Sequence, residues 1–185
     1  DIYTKLHADM MTFKEFKKFR PANNPKYLFC YAPYTTMTFT QDGIILPCYY
    51  NKQKTFGQYF PEIDYIELWK NNSFKTLRER IACNDLSFGC YSCLFEFQKK
   101  NFHTVYAQRY DHIKDEILTE QPIALDFQIS NKCNFKCIMC TGENSSYIRE
   151  KREGKENYKS AYDDYFPHSL TPLLPKIKFL KFAGG

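Results

Sequence analysis

Ile123-Ala124-Leu125-Asp126-Phe127-Gln128-Ile129-Ser130 leads, through Asn131-Lys132, into Cys133-Asn134-Phe135-Lys136-Cys137-Ile138-Met139-Cys140. The first part alternates apolar and polar residues toward its end, as a β-strand would. The second places three thiols within eight residues, spaced by three and then two intervening positions. A polar, helix-compatible run follows from about Glu143, broken near Gly154 and reaching about Tyr162. A strand, a cysteine loop and a helix, with the loop at the strand's carboxyl end, is the order in which α/β folds place their chemistry.

The loop can wrap three sulfurs around one face of a metal cluster. It offers no fourth local ligand, because no cysteine follows Cys140 and the nearest upstream is Cys93. An iron–sulfur cube ordinarily takes four thiolates. A cube held by three keeps one iron open, and an open position marks a metal site that does chemistry. The plainer alternative is a zinc knuckle borrowing a distant ligand, but zinc sites usually pair their cysteines as two short couples. Asn131-Lys132-Cys133 through Cys140 resembles the CxxxCxxC motif of the radical S-adenosylmethionine (SAM) enzymes. One departure is Met139, where that family often has an aromatic residue before the last cysteine.

Upstream, Thr36-Met37-Thr38-Phe39-Thr40 and Ile44-Ile45-Leu46 flank Gln41-Asp42-Gly43, a strong hairpin signal. Cys30 precedes the first strand and Cys48 follows the second, so the two sulfurs should meet at the open end. Gly89-Cys90-Tyr91-Ser92-Cys93 adds a tight CxxC. The four thiolates could fill every corner of a second cluster, and tetrahedral zinc would accept the same set. The order Cys30, twelve residues, Gly43, four residues, Cys48, a long gap and Cys90-x-x-Cys93 resembles the twitch domain, the short relative of the SPASM domain. That resemblance implies an auxiliary [4Fe-4S] cluster with full cysteine ligation. In most such enzymes the auxiliary domain follows the barrel; here it comes first. Cys83 is left over and reads as a buried small hydrophobe. His7, His103, His112 and His168 show no paired ligand spacing.

Residues 1–26 form an N-terminal helical segment in which Phe13, Phe16 and Phe19 recur at helical spacing among Lys14, Lys17, Lys18 and Arg20. The reading is one apolar stripe with a solvated cationic face, in preference to a nucleic-acid contact. Pro61 to Cys83 suggests two helices, the second capped by Ser73, with Trp69 in the core. Phe95 to about Glu120 reads as one connecting helix ending at Gln121-Pro122. Ile177 to Phe182 is a last strand, and strand–helix–strand order calls for a parallel crossover. Gly184-Gly185 then lands on the same carboxyl edge as the cysteine loop. The pair resembles that family's GGE motif, which contacts the SAM amino group, though the chain stops before the acidic residue.

The expected architecture is an α+β N-terminal auxiliary-cluster domain, a β-hairpin plus helices, over residues 27–94. A connector (95–121) joins it to the start of an α/β radical SAM partial barrel (122–185), its first β-α-β unit only. The implied chemistry is reductive cleavage of SAM at the Cys133/Cys137/Cys140 [4Fe-4S] cluster, giving a 5′-deoxyadenosyl radical. Met139, Gly184 and Gly185 would lie at the cofactor. The implied partners are SAM, an electron donor such as flavodoxin or ferredoxin, and a substrate peptide or small molecule. A two-cluster electron carrier and a zinc-bound interaction module are the alternative classes.

With 185 residues, 43% of them hydrophobic, there is enough for a core of one or two small domains, and a net charge of +5 permits an acidic partner without demanding one. No apolar run approaches the ~20 residues that cross a bilayer, and no signal-peptide pattern opens the chain. The expectation is a cytoplasmic protein with no membrane or nucleic-acid partner, its eight cysteines serving metals rather than disulfides. Asp1 and the terminal Gly184-Gly185 read as the ends of a fragment. A barrel needs on the order of 200 residues, so the chain alone is expected to assemble metal sites without a substrate pocket and to be inactive by itself.

Overall fold

The computed structural model describes residues 10–20, 27–51, 53, 56–113 and 120–183. Strands β1 (Thr36–Thr40) and β2 (Ile44–Leu46) form the expected antiparallel hairpin, with Phe39 opposite Ile45. Gly43 makes the turn: its φ is +78°, a conformation L side chains rarely adopt, and its N–H donates to the Thr40 carbonyl at 3.0 Å. A short β3 (Gly57–Gln58) pairs on the far side of β2. Strands β4 (Ala124–Gln128) and β5 (Phe179–Phe182) are parallel neighbours, as the strand–helix–strand order requires.

The unforeseen pairing joins the two halves. β4 runs parallel to β1, Thr36–Thr40 registered against Ala124–Gln128, so one mixed five-stranded sheet has the order β3-β2-β1-β4-β5. The architecture is α+β, and the sheet draws strands from both sides of the expected 95–121 boundary. Along one face, Phe39, Phe127 and Phe182 occupy a single row and stack at 5.3 and 5.2 Å, capped by Phe166. The same register sets Thr38, Asp126 and Lys181 in one row across β1, β4 and β5.

Helix α1 (Met10–Lys17) buries Phe13 and Phe16 against Phe29 and leaves Lys14 and Lys17 exposed; Phe19 lies beyond it, half exposed. A single turn, α2 (Ala32–Thr35), stands between Cys30 and β1. Helix α3 (Tyr65–Lys70) is capped by Asp64, whose carboxylate accepts the Ile66 and Glu67 N–H groups. Helix α4 (Asn72–Ala82) is capped by Asn71 rather than Ser73, because Asn71 Oδ1 already accepts the Phe74 N–H at 3.0 Å. Trp69 lies fully in the core with Phe74, Leu77 and Ile81, as expected.

Three expectations need correction. The connector is not one helix over 95–121: α5 covers Tyr91–Gln98, followed by 3-10 stretches at Phe102–Thr104 and Tyr106–Ile113. Lys100 takes φ +58°, with its N–H on the Phe97 carbonyl and the Asn101 N–H on that of Glu96, both at 3.0 Å. This left-handed turn satisfies the last carbonyls and stops the helix. Asn84 (φ +56°) ends α4 in the same way, and Cys83, at that end, is exposed rather than buried. After the cysteine loop, helix α6 is confined to Ser146–Lys151. Every residue from Lys155 to Ser160 is exposed, so no apolar stripe holds a longer helix. A one-turn α7 (Phe166–Ser169) precedes β5. Among the described residues no helix is long and apolar enough to cross a membrane.

Candidate metal centre

Cys30 lies just before α2, Cys48 just after β2, Cys90 at the N-cap of α5 and Cys93 in its first turn. Folding the hairpin's open end against α5 brings all four sulfurs to the wall of one small cavity of about 20 Å³. Phe29, Ile81, Leu86, Tyr106 and Tyr110 complete the wall. Organic ligands ordinarily fill roughly 300–1,000 Å³, and this space is far smaller than that. No three His, Cys, Asp or Glu side chains among the described residues are set to hold a single metal ion. Four thiols around one space can serve a polynuclear cluster or a tetrahedral ion.

Burial pushes all four thiols up, Cys48 to about 12, and the neighbouring cysteines add to the shift at Cys30, Cys48 and Cys90. Without a cation such thiols hold their protons; a bound metal displaces them. Nearby backbone N–H groups act the other way and favour thiolate, that of Ala32 at Cys30, those of Tyr50 and Asn51 at Cys48 and those of Tyr106 and Ala107 at Cys93. Asn51 reaches Cys90 through its side chain, Nδ2 to Sγ at 3.5 Å. Hydrogen bonds of this kind favour thiolate and tune cluster potential.

Asn51 is the functional residue that sequence reasoning missed. It is 2% exposed, also donates to the Phe88 carbonyl at 2.9 Å, and accepts the Gln53 N–H at 2.8 Å. Gly89 permits this, since a Cβ there would stand 2.3 Å from Asn51 Oδ1 and 2.8 Å from the Gln53 nitrogen. The glycine before Cys90 was the only written signal. Cys83, exposed at the end of α4, does not line the cavity.

The Cys133/Cys137/Cys140 loop leaves the carboxyl end of β4, where it was expected. Its ends are stapled: the Ser146 N–H donates to the Asn131 carbonyl at 2.7 Å and Asn131 Nδ2 to the Gly142 carbonyl at 3.0 Å. Cys133 is held on both sides, its N–H on Ser146 Oγ at 3.1 Å and its carbonyl under the Tyr147 N–H. Between the staples the loop stands in solvent, with Phe135 69%, Ile138 90% and Met139 88% exposed. Cys137 is exposed, Cys133 and Cys140 half-buried. Beside the loop, a cleft of about 270 Å³ is lined by Thr40, Gln128, Ser130, Glu143 and Asn144, and Asn51 forms part of its wall. Gly184 and Gly185 lie outside the described residues.

A mixed α+β fold that gathers four cysteines on the wall of one small cavity defines a candidate metal-binding domain. Residues 30–94 match the SPASM family, an iron–sulfur cluster-binding domain, a span that starts on Cys30 and closes one residue past Cys93. The match supports an iron–sulfur cluster as the group held here. No curated protein and no solved structure matches the chain.

Proposed function

We propose that the chain forms the metal-binding part of a radical SAM enzyme that modifies a peptide or small molecule. Cys30, Cys48, Cys90 and Cys93 would hold an auxiliary [4Fe-4S] cluster, and Cys133, Cys137 and Cys140 a second one. The observation that carries the reading is the placement of the three-cysteine loop at the carboxyl edge of β4, one cleft away from the SPASM-matched cysteines. Asn51 lines that cleft and donates to Cys90.

Cys133, Cys137 and Cys140 would hold a cluster that, with one iron left free of protein ligands, would supply the binding position for SAM and the electron for its reductive cleavage. The chain's own residues supply position and shelter. The Asn131–Gly142 and Cys133–Ser146 bonds fix both ends of the loop, so its three sulfurs start from one anchored frame. Met139 and Phe135, exposed on the loop, would cover the bound nucleotide and exclude water, and the motif resemblance gives Gly184 and Gly185 the contact with its amino group. A flavodoxin or ferredoxin would deliver the electron.

Addition of SAM to the reduced, reconstituted chain is expected to change its EPR spectrum, because only an open iron responds. The Cys133→Ala/Cys137→Ala/Cys140→Ala variant should lose that change, and Cys83→Ser should keep it. A spectrum indifferent to SAM would favour a two-cluster electron carrier in which every iron is ligated.

A further inference from the structure

On the polar side of the Thr38–Asp126–Lys181 row lies a second cleft of about 310 Å³, bounded by the Tyr106–Ile113 stretch, β4 and the edge strand β5. Its volume is at the lower end of ordinary small-ligand pockets, roughly 300–1,000 Å³. Ile113, Ala124, Leu125 and Phe179 give it an apolar lining, and its charged groups are Asp126, Lys181 and Arg109, with Thr36, Tyr106, Tyr110 and His112 as further polar groups.

Two of those groups are unsatisfied. Asp126 is 2% exposed; Lys181 Nζ donates to its Oδ2 at 2.5 Å, while its Oδ1 has no partner among the described residues. The Tyr110 hydroxyl, on a side chain 6% exposed, also has none. A buried acceptor left unpaired is costly, and where it borders a cavity the group that satisfies it is ordinarily a ligand or an ordered water. Arg109 stands on the rim with its guanidinium 4.7 Å from the Tyr106 ring centre. Lys181 already balances Asp126, so Arg109 leaves the lining with one positive charge in excess.

These features select a ligand. Oδ1 of Asp126 needs a donor, the exposed Arg109 guanidinium can take an anion, and the lining beside them is apolar. A lone amine would meet the excess positive charge, and a lone carboxylate would leave Oδ1 unpaired. We propose that this cleft binds a zwitterionic amino acid with an apolar side chain, its ammonium on Asp126, its carboxylate on Arg109, its side chain against Ile113 and Phe179. Tyr106 and Tyr110 wall both this cleft and the four-cysteine cavity, so the bound amino acid would sit one aromatic layer from the metal centre. The site does not depend on the radical SAM reading, since none of Cys133, Cys137 and Cys140 lines it.

Ligand-observed NMR on the metal-loaded 185-residue chain tests it, with L-phenylalanine, 2-phenylethylamine and 3-phenylpropionate as probes. L-phenylalanine is expected to bind in the range of about 1 mM or tighter, and each truncated probe at least about tenfold more weakly. Asp126→Asn and Arg109→Gln should each weaken L-phenylalanine by about tenfold or more. Arg109 is exposed, so its variant decides the matter even if Asp126→Asn fails to fold. No L-phenylalanine binding, equal binding of either truncated probe, or unchanged binding to Arg109→Gln would each overturn the proposal. Because the SAM-dependent EPR change is read separately, failure here leaves that result standing, and the reverse holds too.

Discussion

Replacing Cys48 and Cys90 together by serine is expected to abolish cooperative thermal unfolding of the metal-loaded protein along with its auxiliary iron. The two sulfurs come from opposite sides of the cavity, one following the hairpin and the other capping α5, so each side keeps a single ligand, Cys30 and Cys93, too few to close a four-thiolate site. A structural metal in zinc-finger peptides is worth on the order of 10 kcal/mol. That is comparable to the whole net stability of a domain, about 5–15 kcal/mol. The apolar contacts around the cavity are thus asked to stand without their largest single support. Circular dichroism melting curves and iron content, measured together, check this. Cys83→Ser, on an exposed helix end, should leave both unchanged. A double variant that kept its iron and its transition would remove the cavity from consideration as a cluster site.

Arg20→Met is expected to destabilise the fold by about 3–5 kcal/mol, the cost of breaking a buried ion pair from one side. Arg20 and Asp111 side chains are 1% and 7% exposed. Arg20 Nε donates to Asp111 Oδ2 at 2.8 Å, Nη2 donates to Oδ1, and Nη1 serves the Leu28 and Phe29 carbonyls at 2.9 and 2.8 Å. Burial opposes the guanidinium charge, yet Asp111 holds the Arg20 pKa above its ordinary value. Methionine would fill the space and leave a buried carboxylate and two carbonyls unpaired. The pair also ties the chain just after α1 to the Tyr106–Ile113 stretch, whose tyrosines wall the metal cavity. Urea unfolding gives the size. Removing both charges, as Arg20→Met/Asp111→Asn, should cost less than Arg20→Met alone. A single variant costing under about 1 kcal/mol would mean that water reaches Asp111.

Much of this was legible in the sequence because its signals are local. Asp42-Gly43 between alternating strands fixed the hairpin, and a hairpin returns its ends together, so Cys30 and Cys48 were expected to meet; they share the cavity with Cys90 and Cys93. The β4 strand and the position of the Cys133 loop followed equally from adjacent residues. What stayed hidden was non-local. The parallel β1–β4 pairing joins Thr36–Thr40 to residues almost ninety positions later, and local periodicity does not encode a partner. The α4 end at Cys83 was placed correctly, whereas the helix end at Lys100 was missed because the left-handed turn there is made by a residue other than glycine. Asn51 was missed because one buried asparagine among loop residues looks like any other until Gly89 admits it to Cys90.

Iron and acid-labile sulfide analysis of the anaerobically purified and reconstituted chain bears most directly on the cluster assignment. Two cubes, one in the four-cysteine cavity and one on the three-cysteine loop, give about eight iron and eight sulfide per chain. The Cys133→Ala/Cys137→Ala/Cys140→Ala variant then keeps about half of each. Colourless protein carrying zinc, with neither iron nor sulfide, would contradict the account.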